Sequence, residues 1–429
     1  MNQTVSAAPA GAAPGAPIPP GVTPLRHNWR FQTLWAGSTT ALTGMSAADV
    51  AYPLVILAVT GSPALAGLFG FLQASALVVC SLPAGQVVDR CDRRRVLIAA
   101  ESVRTATAGG VALLFAVHAL ALAPLLAAAV LLGAAQPFGG SARMLMVRSV
   151  VAPEQLTAAL TQDEVRGGIA ELAGPPLGGL LYGLARALPF LFSAASFAVS
   201  LVCALVVRPD LPRSAPGPER APGAAALDDG GMFAGIRALW ADPALRAAVV
   251  LVSFLNAAGA PLTLAAIYQL HRDAAPSWSI GLALGGAAVG GLAGAALVRP
   301  LHRRFRPGWL LLGITATEVP LNIALGLVHT PWTVAVILFG GTLGVPTLSV
   351  LLDVLIFRQV PEHQRGRTIT SAMTIIGLGI PVGTGAIGLL LQYLGGAGAM
   401  FCLAGLLACG AVWAAAQPRL RAARWPAAA

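Results

Sequence analysis

Lysine is absent from this chain: all 27 of its basic residues are arginine. A GC-rich genome is the plainest cause of that bias. Charge of either sign is scarce. Charged residues make up 10% of the 429 positions, where soluble domains carry about 25%. With 56% hydrophobic residues and a mean hydropathy of +0.76, that shortage excludes a soluble globular protein. The apolar runs are continuous and do not alternate with polar residues, which excludes a membrane β-barrel. No nucleotide loop, zinc-ligand spacing or nucleophile elbow is present. Glycine-rich stretches such as Gly340-Gly341-Thr342 lack the lysine of a phosphate loop. No cofactor is therefore expected, and an energy source other than ATP is implied. The five cysteines (Cys80, Cys91, Cys203, Cys402 and Cys409) show no paired spacing, so they read as small packing residues and not as a disulfide framework or metal site.

What the chain does have is length in its apolar runs. A membrane helix needs about 20 mostly apolar residues. About twelve runs qualify: 33–58, 64–86, 96–118, 122–142, 165–186, 188–207, 247–269, 278–298, 308–328, 332–356, 369–392 and 396–416. The expected fold is all-α, with twelve transmembrane helices. Only Arg186 and Arg272 fall in loops on one side of that topology; the other arginines lie at or near the opposite face. This positive-inside pattern puts both termini in the cytoplasm. It also accounts for the net charge of +10 without nucleic-acid binding. Residues 1–24 are rich in Ala, Pro and Gly and lack the basic start of a secretory signal, so a disordered leader is expected there. Residues 25–208 form a first half. Residues 209–242 form a linker, with an amphipathic stretch from Met232 to Trp240 that suits the inner leaflet surface. Residues 243–417 form a second half, and 418–429 a basic tail suited to an anionic membrane surface.

One stretch is denser in chemistry than any other: Gly85-Gln-Val-Val-Asp89-Arg90-Cys-Asp92-Arg93-Arg94-Arg95. It lies between two membrane-length runs. Gly-x-x-x-Asp-Arg-x-x-Arg-Arg resembles the loop signature between the second and third helices of the major facilitator superfamily, with Asp92 where many members carry glycine. Gly294 to Arg304 repeats the spacing 209 residues later, with Val298 in place of the aspartate. Val151-Ala-Pro153-Glu154 is echoed by Val360-Pro361-Glu362, and Gly174-Pro175 by Ile380-Pro381. Three echoes at nearly one offset indicate two homologous halves, as the resemblance implies. Gly174-Pro175-Pro-Leu-Gly178-Gly179 is similar to the kink motif of the superfamily's drug–proton antiporters. Glycines further upstream in that motif are missing here, at Thr161 and Ala170. Ser141-Ala-Arg143 before Pro153-Glu154 and Leu156, and Gly366-Arg367 after Pro361-Glu362, resemble the exporter branch that includes macrolide and enterobactin effluxers. The likeness covers roughly residues 25–417.

Acidic residues inside membrane runs are rare and costly, so each is a candidate for function. Asp49 lies in the first run, which lines the central cavity in the resembled fold, and its own helix offers no basic neighbour within two turns. It is the first choice for a proton carrier; the alternative is a neutral Asp bonded to Ser46 or Thr43. Glu171 precedes the kink by one turn, where relay and structural pairing are equally open. Glu318 has Asn322 one turn on, and the resembled fold makes that helix peripheral, which favours a neutral, bonded Glu. Asp353, near Arg358, is a gate pair or a solvated helix end. Gln73 and Asn256 either face a substrate or cross-link helices. Glu101 and Arg104, three apart, are expected to pair. In the loop, Gly85, Asp89, Arg90, Arg93 and Arg94 form the expected gate, with Asp89 holding a helix start in the other half. Gly281, Gly285, Gly286, Gly290 and Gly294 give a close-packing face, either sliding or static.

These features converge on a secondary transporter in a bacterial inner membrane, not an enzyme. It is expected to act as a monomer and to export a small amphipathic organic molecule (an antibiotic, siderophore or metabolite) in exchange for protons. Its expected partners are that small molecule, protons and the lipid bilayer. An importer of a polar nutrient is the alternative within transport. A non-transporting sensor or scaffold would call for a large soluble output domain, which the sequence does not display.

Overall fold

The computed structural model describes residues 24–208, 237, 239–241, 243–359 and 362–418, with the side chains of 244 and 353–370 left aside. The expected leader, the basic tail and most of the linker lie outside the described residues. The helices are, in chain order, α1 Trp29–Thr60, α2 Pro63–Arg90, α3 Arg93–Ala116, α4 Leu122–Val150, α5 Leu156–Leu184, α6 Leu188–Val206, α7 Pro243–Gly259, α8 Leu262–Arg272, α9 Ser277–Arg304, α10 Pro307–Leu327, α11 Pro331–Thr342, α12 Val345–Gln359 and α13 Glu362–Ala415. No strand occurs among the described residues. Ten helical stretches are long and apolar enough to cross a membrane. Helix α5 is 29 residues long but carries Asp163, Glu164, Arg166 and Glu171 along its length. Helix α13 contains one apolar stretch of 45 residues, Ser371–Ala415, interrupted at Gly395, whose φ of +70° only glycine adopts easily.

Local chemistry sets the ends. Asn28 caps α1 through the Phe31 N–H, and Ser62 caps α2 through the Leu65 N–H, with Pro63 in the first turn. Asp92, the departure from the family's glycine, is the N-cap of α3. Its carboxylate accepts from Arg94 N at 2.8 Å and Arg95 N at 3.4 Å. Two of the apolar runs differ from expectation, because each is two helices. Run 247–269 breaks at Ala260-Pro261, and run 332–356 breaks at Leu343-Gly344. Pro261 has no N–H to continue a helical ladder, and Pro346 plays that part just after the second break.

Lipid tails are as apolar as leucine, so these helices gain little by hiding apolar surface from one another. Close backbone approach and polar cross-links hold them instead. Added Cβ atoms at Gly174 and Gly178 would overlap Ser46 and the Ala47 carbonyl, which seats α5 on α1. Gly179 and Gly281 meet backbone to backbone, which seats α5 on α9. Gly286, Gly290 and Gly294 press α9 onto the carbonyls of Ala335, Phe339 and Leu343, so the glycine face of α9 serves α11 as well as α5. Gly67 and Gly388 bring α2 onto α13. The crossings of α2 with α13 and of α5 with α9 both lie toward the Gly61 end of the bundle. Toward the opposite end, which carries the Arg90–Arg95 loop, added Cβ atoms at Gly85 and Gly291 would meet nothing within 4 Å.

That contrast gives a stability prediction. Gly281→Val should lower the melting temperature of the purified protein, with overpacking worth about 1–3 kcal/mol. Gly291→Val, one face away, should leave it within error. Equal melting of the two variants would show that the α5–α9 crossing does not hold the bundle.

Candidate functional site

The seating of α5 on α1 places Asp49 at the wall of a central cavity of about 740 Å³. The cavity runs from Asp49 toward the arginine-loop end, as far as Glu164 and Ala295. Among the described residues Asp49, Glu164 and Glu171 line it, and no basic side chain does. Among the described residues no group of three or more His, Cys, Asp or Glu is placed to hold a metal. The bend at Pro175-Pro176 forms part of the same wall, so the antiporter-like Gly174, Pro175, Gly178 and Gly179 act here by fixing where α1 and its carboxylate sit.

Behind Asp49 lies a small polar chamber lined by Tyr52, Gln73, Arg104, Ser193 and Phe197, among others. Gln73 Nε2 donates to Asp49 Oδ1 at 3.4 Å, which ties α2 to α1. Arg104 stacks over Phe197, 5.3 Å from the ring centroid. It faces Glu101 at 3.6 Å, the pair expected from their spacing. Glu101 is fully buried, and a second cation holds it more closely: Arg143 Nη2 of α4 donates to Glu101 Oε1 at 2.5 Å. Arg143 donates as well to Ser38 Oγ at 2.8 Å and Ser200 Oγ at 3.3 Å. Two arginines thus share one buried carboxylate, and Asp49 supplies the second negative charge beside Arg104. Asp49 has no basic neighbour on its own helix, as its sequence surroundings indicate. The cation near it arrives from α3. Sequence reasoning missed Arg143 as a partner of Glu101. Its only signal was the Ser141-Ala-Arg143 stretch, and nothing in the spacing relates α4 to α3.

A second cavity, of about 410 Å³, lies among α7, α8, α10, α11, α12 and α13. Glu318 lines it from α10. Asn256 lines it too and also cross-links, donating Nδ2 to the Ile376 carbonyl at 3.3 Å. Asn322 Nδ2 donates to the Glu318 main-chain carbonyl at 2.8 Å and leaves the carboxylate alone. Both helix breaks border this cavity, through Ala260 and Leu262 on one side and Thr342 and Val345 on the other.

In the arginine loop, the described hydrogen bonds to α6 belong to Arg94. Arg94 reaches the end of α6, donating to the carbonyls of Ala204 (3.2 Å), Leu205 (2.5 Å) and Val207 (3.0 Å). Gly85 makes no close approach, and Arg90 is exposed while Arg93 is half-buried. Asp89 is exposed, with no hydrogen bond or ion pair among the described residues. Its expected partner across the bundle, the start of α13, has its side chains outside the described set, as does Asp353. Asp163 and Arg166 pair within the first turns of α5.

The helical architecture, the loop signature and the cavity between α1, α5 and α9 agree with the family comparison. The Major Facilitator Superfamily model matches residues 34–384, and the chain belongs to that superfamily: it is a multi-pass membrane transporter and not an enzyme. It is 29% identical over 401 residues to the enterobactin exporter EntS of Salmonella choleraesuis, covering 88% of this chain and 87% of that one. It is 25% identical over 346 residues to the multidrug efflux pump Tap of Mycolicibacterium fortuitum, covering 79% of this chain and 82% of that one. A bacterial homologue of the human lysosomal transporter Spinster, solved in an inward-facing and unoccupied conformation, has the same fold. The TM-score is 0.72 at 16% identity, over 95% of this chain and all of that one.

Removing one partner from a buried ionic cluster costs about 3–5 kcal/mol, because the remaining charge is left uncompensated. Glu101→Gln leaves Arg104 and Arg143 facing each other without an anion. The yield of folded protein on gel filtration should fall sharply. Restoration by Glu101→Asp, but not by Glu101→Ala, would locate the effect in the charge. Normal folding of Glu101→Gln would remove the cluster from the list of what holds α3, α4 and α1 together.

Proposed function

We propose that this chain exports a small amphipathic organic molecule from a bacterial cell in exchange for protons. The observation that carries this reading is Asp49, a carboxylate deep in the bundle on the wall of a cavity that no basic side chain among the described residues lines. The exporter relatives support outward direction. The mostly apolar cavity walls offer few fixed groups for a sugar or phosphate, which disfavours import of a polar nutrient.

In this reading the ten apolar stretches, with α5 and with α13 counted twice at Gly395, make twelve crossings. Residues 25–208 and 243–417 form the two six-helix halves, joined by 209–242, and both termini are cytoplasmic. The arginine-loop end is then the inner end, and the arrangement of helices described above is open inward. The halves rock about the cavity. When the inner end closes, Asp89 engages the start of α13 and an arginine of its own loop, and Gly85 gives the room for that approach. Asp49 exchanges its proton as access alternates, with Glu171 as a second carboxylate on the path. The protein works as a monomer.

Asp49→Asn fixes the protonated charge state. In proteoliposomes with an imposed pH gradient it should abolish uphill efflux and leave downhill exchange partly intact. If uphill efflux survives in Asp49→Asn but fails in Glu171→Gln, the proton is carried elsewhere. If both variants pump normally, proton antiport is wrong.

Orientation has a separate test that uses a native residue. Cys91 sits exposed in the arginine loop. An impermeant maleimide should label it in inside-out vesicles and not in intact cells, and Cys91→Ser should remove that labelling. Rapid labelling from outside the cell would invert the topology.

A further inference from the structure

Glu318 is 8% exposed, and its carboxylate has no hydrogen-bond or ion-pair partner among the described residues. An isolated ionised carboxylate in an apolar surround costs several kcal/mol, and membrane proteins rarely retain one without use. It faces a cavity whose remaining polar groups are an amide and hydroxyls, Asn256, Thr263, Thr342 and Ser349, with apolar walls around them. Among the described residues neither this cavity nor the central one has a basic side chain in its lining, and together they present Asp49, Glu164, Glu171 and Glu318. The two cavities adjoin, since Thr263, Ala287, Thr342 and Val345 border both.

The backbone adds an independent pointer. The cavity lies where two membrane helices are interrupted, between α7 and α8 and between α11 and α12. A bend frees main-chain carbonyls from the helical ladder, and such groups at membrane depth are tolerated only where they line a cavity or are buried in protein. A volume of about 410 Å³ falls in the range of small-molecule sites, roughly 300–1,000 Å³.

We infer that this pocket is the cargo's seat and that it takes an organic monocation. The positive centre pairs with Glu318, and an apolar body lies against Leu255, Ile314, Leu338, Met373 and Ile376. The inference rests on the reading of the chain as a carrier of small organic molecules and narrows that cargo to one charge class. An anionic cargo would face four carboxylates and no counter-charge, and a neutral one would leave Glu318 unpaired. Discrimination therefore comes from repulsion as much as from attraction.

The test is equilibrium binding to the purified protein in nanodiscs, with empty nanodiscs subtracted. The probes are tetraphenylphosphonium and its anionic counterpart of matching shape, tetraphenylborate. The wild type should prefer the cation at least tenfold. Glu318→Gln should lose at least tenfold in cation affinity, and Glu318→Asp should recover part of it. Asp49→Asn should lose less cation affinity than Glu318→Gln even where it loses uphill transport, which separates failure of this site from failure of the proton-coupling reading. A second measurement needs no variant. A hydrophobic carbodiimide should modify Glu318, read by peptide mass spectrometry, and tetraphenylphosphonium should suppress the modification while tetraphenylborate does not. Equal affinity for the two ions, undiminished cation binding in Glu318→Gln, or modification indifferent to the cation would overturn the inference. So would binding that depends on Asp49 and not on Glu318.

Discussion

Helix α5 is gripped on two sides, and the rest of the arrangement depends on that grip. Gly174 and Gly178 bring its backbone onto α1 at Ser46 and Ala47, and Gly179, one residue on, meets Gly281 of α9. Such approach is the main attraction open to apolar helices in lipid. It sets the depth of Asp49, because Ser46 and Ala47 are its near neighbours on α1. It also closes the Gly61 end, because α5 and α9 cannot part there without losing backbone contact. The proline pair Pro175-Pro176 lies between the two glycine contacts, so the bend and both seats share less than two turns of helix.

The charge arrangement follows from the same packing. Arg104 belongs to α3 and Arg143 to α4, and neither lines the central cavity. Glu101 draws both away from it and is itself buried by the fit of α3 against α4. The arginines therefore neutralise the interior of the bundle without making the cavity basic. Only Arg104 comes near Asp49, at its rear, through the small chamber that Gln73 and Tyr52 share. Asp49 is thus placed between an aqueous path on one side and a balanced ionic cluster on the other. A carboxylate in that position can change charge with access to the cavity and still have a cation close enough to limit the cost.

Much of this was legible in the residue pattern. Continuous apolar runs gave the helices. The Gly-x-x-x-Asp-Arg-x-x-Arg-Arg loop gave the family. The spacing of Glu101 and Arg104 gave their pairing. What was hidden needed contacts between helices distant in sequence. Arg143 lies 42 residues from Glu101, and no periodicity links them. The cavity position of Glu318 depends on how α10 packs against α13 and α11. Pro261 and Gly344 were visible, but proline or glycine in a membrane run more often kinks a helix than ends it, so the two breaks could not be read from composition. Asp92 looked like a departure from a motif and is a helix cap, a role that appears only once the start of α3 is placed.

The two carboxylate settings differ in a way that suits a division of labour. Asp49 has an amide at 3.4 Å, an arginine behind it and a cavity in front, so its charge is partly supported whether or not a cargo is present. Glu318 has no such support: its own helix contributes only Asn322, which is turned to the main chain. A group supported in both states is fit to load and release a proton on each cycle. A group supported only by a ligand is fit to demand one. Placed in the two proposed halves and joined by shared wall residues, they would let a cation at Glu318 alter the field at Asp49 across Thr263 and Thr342. Like charges in adjoining cavities repel, so neutralising one carboxylate eases ionisation of the other. Cargo binding would then favour proton release from Asp49, and reprotonation of Asp49 would bear on how tightly Glu318 holds its ligand. That reciprocity is a thermodynamic requirement of any coupled pair of sites.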